Sequence, residues 1–202
     1  MARTDTPRLL AAGVAAGILF FAVTLVEIFA RPGFDIARHA ISVLSLGPRG
    51  WVMKAVFILS GVLVLACALG LRRAAGRIAG PVLVALYGAG LVLAGLFDAP
   101  PGLGFPPGTA ADQQPVMTIE AIVHSIAFML AFGSLIIACF VFAFAMWRGA
   151  SRGAAMLSTP AGLAMPVLIQ LGMAGTVATG VAFYLAAMLA WVWLGWIALR
   201  HR

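Results

Sequence analysis

Six runs of mostly apolar residues, each about as long as a bilayer is thick, constrain the fold of this chain more than any other feature. A helix needs about 20 such residues to cross the hydrocarbon core of a membrane. The sequence therefore predicts six membrane helices, at residues 9–30, 51–71, 78–97, 119–147, 154–173 and 177–199. The last two are predicted to form a tight hairpin that turns near residues 172–180, with a single long re-entrant segment as the alternative.

The composition excludes the other large classes of protein. The chain is 63% hydrophobic and 9% charged, whereas a soluble domain has about a quarter of its residues charged and a disordered chain is poor in apolar residues. The net charge is +7, but the cations are scattered through short connections, so we expect no nucleic-acid partner. The predicted fold class is an all-α, polytopic membrane protein with one bundle over residues 1–202.

The cations predict an orientation. Nine of the 13 lysines and arginines lie in the N-terminus, the second and fourth connections and the C-terminus, which share one side of a six-helix bundle. Cytoplasmic loops are enriched in Lys and Arg, so we expect both termini inside, in the inner membrane of the cell. Trp191, Trp193 and Trp196 near the end of the sixth helix predict an aromatic belt at the same interface.

Polar residues that could bind a ligand or take part in catalysis gather on the opposite side. They lie at the ends of the first, third and fourth helices and in the first connection: Glu27, Arg38, His39, Ser42, Ser45, Arg49, Asp98, Glu120 and His124. Glu120 and His124 are four residues apart and share a helix face, and charged groups within spans usually face the bundle interior. We therefore expect a polar pocket open to the exoplasmic side, covered by the proline-rich third connection, residues 98–118.

Two motifs in the connections resemble a known family. Ile41–Trp51 reads ISVLSLGPRGW, and Ala94–Gly102 reads AGLFDAPPG, followed by FPPG at Phe105–Gly108 and a helix that leads to His124. These segments resemble the DUF998 family of bacterial and archaeal multi-spanning proteins. The resemblance implies six membrane helices and no established activity.

The predicted pocket could support chemistry in two ways. His39, Asp98 and His124, with Glu120 nearby, are residue types that bind a catalytic divalent metal such as zinc and leave a position for water. Alternatively, without a metal, His124 would act as a general base toward Ser42 or Ser45. Haem held by the two histidines is less favoured, because no pair spacing typical of membrane haem proteins is present.

The predicted ligand is a lipid or amphiphile with an anionic headgroup, with its chemical modification as a further option. The candidate binding residues are Arg38, Ser42, Ser45, Arg49 and Glu27. The alternative hypothesis is a non-catalytic structural or regulatory membrane protein, in which the His, Asp and Glu residues fasten the outer loops. Membrane lipids are the expected partners in both cases, and the oligomeric state stays open.

Overall fold

The computed structural model describes residues 5–149 and 152–202, so residues 1–4 of the predicted domain and residues 150–151 of its fourth connection lie outside the described part. Six long helices make up this part: α1 Thr6–Ala30, α2 Gly50–Ala75, α3 Ala79–Leu96, α4 Ile119–Arg148, α5 Arg152–Met173 and α6 Thr179–Arg200. All six contain a stretch long and apolar enough to cross a membrane. The described residues contain no strand, and the prediction of a six-helix membrane protein is confirmed.

Small residues set the spacing of the bundle. Each helix packs against the next one in the chain, and α6 returns to pack against α1. Between α2 and α3 the backbones touch, since a Cβ atom added to Gly61 would lie 2.6 Å from the carbonyl oxygen of Gly88. A Cβ on Gly90 of α3 would lie 2.8 Å from the carbonyl oxygen of Ala127 in α4. Such close approach is how membrane helices gain van der Waals contact where the hydrophobic effect offers little.

Two tryptophans of α6 lie in the core, which corrects the predicted aromatic belt. The ring of Trp191 packs 5.3 Å from Phe20 of α1 and 5.5 Å from Tyr87 of α3, measured between ring centroids. Trp193 donates its indole N–H to Ser158 Oγ of α5 at 3.0 Å. Both side chains are buried, and the ring of Trp193 can leave the membrane interface because its N–H has an internal partner.

The connections lie at the two ends of the bundle, and most polar residues are found at one of these ends. The 3-10 helix Ile41–Ser45 lies in the first connection, and the predicted α5–α6 hairpin is confirmed by a turn between Met173 and Thr179. We call the end that holds the first connection, the third connection and this hairpin the polar end. The opposite end, which holds the α2–α3 connection and the last turns of α4 and α6, is the basic end.

Candidate functional site

A buried carboxylate ties α1 to the first connection at the polar end. Glu27 lies in the last turn of α1, and its side chain is 1% exposed. Arg49 donates from Nη2 to Glu27 Oε1 at 2.5 Å, and Arg31 Nη1 lies 3.5 Å from Glu27 Oε2. Arg31 Nη2 also donates to the carbonyl oxygens of Leu44 and Leu46, at 2.6 and 2.5 Å. A carboxylate at this depth needs such charged partners to offset its desolvation.

The charge of this cluster does not balance. Burial lowers the pKa of Arg31 from its ordinary value, the Glu27 carboxylate opposes that shift, and the charge of Arg49 adds to it. An arginine keeps its proton in proteins even so. Two guanidinium groups therefore face one carboxylate, and the cluster is left with a positive charge. Arg49 and Glu27, both predicted to bind a ligand, are brought together, but they bind each other.

His39 joins the first connection to the third. Its Nδ1 accepts a hydrogen bond from the backbone N–H of Asp35 at 2.9 Å, and its Nε2 lies 2.9 Å from the carbonyl oxygen of Leu103. Because a carbonyl can only accept, Nε2 carries the proton. The buried ring packs against both Phe34 and Phe105, with its centroid 5.6 Å from each of theirs. Both ring nitrogens therefore hydrogen-bond to backbone groups, and each has a structural role.

The proline-rich third connection is folded down onto the first. Phe105 is 1% exposed and packs edge-on against Phe34, with ring centroids 5.8 Å apart. The exposed Arg38 donates from Nη2 to the carbonyl oxygen of Ala111 at 2.8 Å. Within the connection, the N–H of Leu103 donates to the carbonyl oxygen of Gln113 at 2.7 Å. The segment predicted to cover the polar residues does lie over the first connection, and it is held there by direct contacts.

Two further contacts fasten the end of α3. Lys54 of α2 places Nζ 2.7 Å from Asp98 Oδ1, just beyond the end of α3. His124, buried in the first turns of α4, donates from Nδ1 to the carbonyl oxygen of Phe97 at 2.9 Å. Asp98 and His124 therefore lie at the same helix end, as the sequence predicts, but each is bonded to a structural neighbour.

Glu120 does not join His124 inside the bundle. Its side chain is exposed, and no ion pair or side-chain hydrogen bond of Glu120 occurs within residues 5–149 and 152–202. It lies in the first turn of α4, which Thr118 caps by accepting from the N–H of Ala121 at 3.1 Å. A carboxylate in a first turn is favoured by the helix dipole. The predicted interior pair is not formed, because Glu120 is exposed whereas His124 is buried.

The residues predicted to hold a metal are not arranged to do so. No group of three or more His, Cys, Asp or Glu side chains in the described residues could hold a metal ion, whereas a catalytic zinc needs three protein ligands. His39, Asp98 and His124 therefore do not form the predicted zinc site. The geometry of His39 does not favour haem either, because both of its ring nitrogens have backbone partners.

The serine candidates are not activated. Ser45 is buried, and within the described residues its Oγ has no hydrogen-bond partner. Ser42 is half-buried in the same 3-10 helix. No hydrogen bond from either hydroxyl to His124 occurs in the described part of the chain, and a general base must lie within such reach of its nucleophile. The predicted acid–base pair is therefore not formed.

Three residues that hold the polar end together were not among the predicted site residues. Arg31 follows Glu27 by four positions, a spacing that does indicate an ion pair. Lys54 had a weaker signal, as a cation inside the start of a predicted membrane helix. Phe105 had none beyond its place in the FPPG motif. The polar residues have in common that their contacts tie the connections to the helices. We call the whole set of contacts around the first and third connections the polar cap.

The comparison with known proteins extends over both halves of the bundle. A family model described as "Protein of unknown function (DUF998)" matches residues 14–200. The match includes α5 and α6, beyond the motifs of the first and third connections. No curated protein and no solved structure matches the chain.

Proposed function

Because the chain belongs to the DUF998 family, whose description assigns no activity, we propose a function from the geometry of the polar cap. In this proposal the protein is a non-catalytic structural or regulatory membrane protein. Its polar residues fasten the first and third connections to the six-helix bundle. The cap thereby gives the protein a fixed surface outside the membrane.

The observation that supports this proposal most is that both ring nitrogens of His39 hydrogen-bond to backbone groups. A catalytic base or a metal ligand needs a nitrogen that faces a substrate or an ion. Here one nitrogen accepts from Asp35 and the other donates to Leu103. Asp98 is likewise paired with Lys54, and Glu27 with Arg49. Residues that look catalytic in the sequence are used as ties between elements.

A second candidate function is binding of the predicted ligand without its chemical modification. The side chain of Arg49 is 54% exposed even though one nitrogen binds Glu27, and Arg38 of the same connection is exposed too. Guanidinium groups with free donors bind phosphate and carboxylate well. This supports binding of a lipid or amphiphile with an anionic headgroup at the surface of the polar cap.

Thermal unfolding of histidine variants tests the structural proposal. Cys67 and Cys139 are fully buried, so a thiol-reactive fluorophore reports unfolding of the bundle. We expect His39→Ala and His124→Ala to lower the midpoint, since each leaves a buried backbone group without its partner at a cost of about 1–3 kcal/mol. His201→Ala is the matched control, because that ring contacts a carbonyl of its own helix. Added Zn²⁺ or EDTA should shift none of these midpoints.

The zinc hypothesis predicts different results in the same experiment. It requires near-stoichiometric zinc in the purified protein, a fall in the wild-type midpoint with EDTA, and loss of both effects in His39→Ala and His124→Ala. That combination would replace the structural proposal with a metal site.

A further inference from the structure

A cavity of about 380 Å³ opens at the basic end, on the opposite side of the molecule from the polar cap. It lies between the α2–α3 connection, the start of α3 and the last turns of α4 and α6. Its walls are mostly apolar and include Pro81, Phe142 and Met146. The volume is within the range of small-ligand sites, about 300–1,000 Å³.

Arginines line the mouth of this cavity, and no acidic residue of the described part of the chain belongs to its lining. Arg77, Arg200 and His201 belong to its lining, and both arginine side chains are exposed. None of the ion pairs in residues 5–149 and 152–202 includes either arginine. Of the six acidic residues, Asp5 alone belongs to the basic end, and it lines a separate cavity with Arg8 and Arg73. The electrostatic potential at the mouth is therefore positive.

Position and chemistry together select the occupant. The cavity lies at the ends of membrane-spanning helices, at the depth of lipid headgroups. Its apolar walls suit the glycerol and upper acyl carbons of a lipid, whereas the arginines suit a phosphate. The guanidinium of Arg200 also lies 5.9 Å from the ring of Trp196, an aromatic anchor at the same level. Basic pockets between membrane helices are a known mode of anionic-lipid binding.

We propose that this cavity binds the phosphate headgroup of an anionic phospholipid from the adjoining leaflet, with Arg77 and Arg200 as the phosphate ligands. His201 contributes from the same rim. Its Nδ1 lies 2.9 Å from the carbonyl oxygen of Ile197 and donates to it, which leaves the lone pair of Nε2 to accept from a hydroxyl group of the lipid headgroup. The site is independent of the polar cap, so it stands or falls separately from the structural function proposed above.

Lipid-induced stabilisation of the purified full chain tests the proposal. Short-chain phosphatidylglycerol is titrated into detergent-solubilised protein, and the thermal midpoint is read from exposure of the buried cysteines. A ligand that binds the folded state raises the midpoint in proportion to its saturation. We expect a saturable rise with phosphatidylglycerol, and little change with equal concentrations of short-chain phosphatidylcholine or inorganic phosphate.

Charge-matched variants locate the site. In Arg77→Gln/Arg200→Gln the half-saturating concentration should rise about 25-fold, from about five-fold for each cation near a membrane headgroup. The control Arg8→Gln/Arg73→Gln removes the same charge from the same end and should keep wild-type affinity. Because Arg77 and Arg200 are exposed, the lipid-free midpoint should not change. Ala79→Phe, which fills the cavity without changing charge, should weaken binding as well.

Three results would overturn the proposal. Equal loss in the Arg8/Arg73 control would indicate general surface charge. Equal stabilisation by phosphatidylcholine or by inorganic phosphate would indicate a detergent-like or a soluble-anion effect. Loss of the lipid response in Arg38→Gln, with the Arg77/Arg200 variant unaffected, would place the lipid at the polar cap instead.

Discussion

Glu27 illustrates what a buried charge requires at the edge of a membrane. Its side chain is nearly inaccessible, and a carboxylate there is unfavourable unless cations and hydrogen bonds compensate its lost hydration. Arg49 and Arg31 supply that compensation, and Arg31 connects the cluster to two backbone carbonyls of the first connection. One side chain thus determines how α1 and the first connection meet.

Glu27→Gln should destabilise the protein strongly. The substitution keeps the size of the side chain but leaves the buried Arg31 without its counter-ion, at a cost of about 3–5 kcal/mol. The measurement is the thermal midpoint reported by the buried cysteines. Glu120→Gln makes the same chemical change at an exposed position of α4 and should have little effect. Equal midpoints for the two variants would show that the Glu27 cluster is not a fastening.

For individual residues, the sequence predicts how deep each one lies in the membrane but not which way its side chain points. Spacing along the helices places Glu27, Asp98 and His124 correctly at one end of the bundle, because the apolar runs locate each residue relative to the membrane. It does not show that Glu120 points outward while His124 points inward. Nor does it show that both nitrogens of His39 are used, since the partners are backbone groups of Asp35 and Leu103 and backbone groups carry no sequence signal.

Helix packing depends on backbone contact between neighbouring helices. The predicted spans agree with the observed helices within a few residues, such as 119–147 for α4 Ile119–Arg148. Agreement is expected, since a bilayer tolerates few alternatives to a helix in a long apolar run. Which glycines meet is not visible in a chain that has 23 of them. The facing pair Gly61 and Gly88 is identified by the structure.

Gly61→Ala should weaken the α2–α3 contact. The added Cβ would lie 2.6 Å from the carbonyl oxygen of Gly88, and overpacking of this kind costs about 1–3 kcal/mol. Gly133→Ala is the matched control, because a Cβ at Gly133 of α4 meets no atom within 4 Å. The control should keep or raise the thermal midpoint, since alanine is the better helix former by about 1 kcal/mol. A stable Gly61→Ala protein would indicate a looser helix contact.

The whole molecule has two chemically different ends. Acidic residues other than Asp5 belong to the polar end, and the basic end contains Arg72, Arg73, Arg77, Arg148 and Arg200. Cytoplasmic enrichment of Lys and Arg supports our proposal that the basic end and both termini face the cytoplasm of an inner membrane. The polar cap would then face outward.

Labelling of single cysteines in intact cells tests this orientation. In a background in which Cys67 and Cys139 are replaced by alanine, Asp112→Cys in the third connection should react with a membrane-impermeant maleimide. Ala74→Cys near the end of α2 should react after the membrane is made permeable. Both positions are exposed, so access to solvent does not distinguish them. The reverse pattern would invert the orientation.

Hydrogen exchange in the third connection reports whether His39 holds that segment against the bundle. In the wild type the N–H of Leu103 donates to Gln113 and that of Phe105 donates to Gly102, and His39 holds the segment down through the carbonyl of Leu103. His39→Ala should therefore speed exchange over residues 98–116 by about 5- to 150-fold, the equivalent of about 1–3 kcal/mol. The His201→Ala control should exchange as in the wild type. Unchanged exchange over residues 98–116 in His39→Ala would contradict the account.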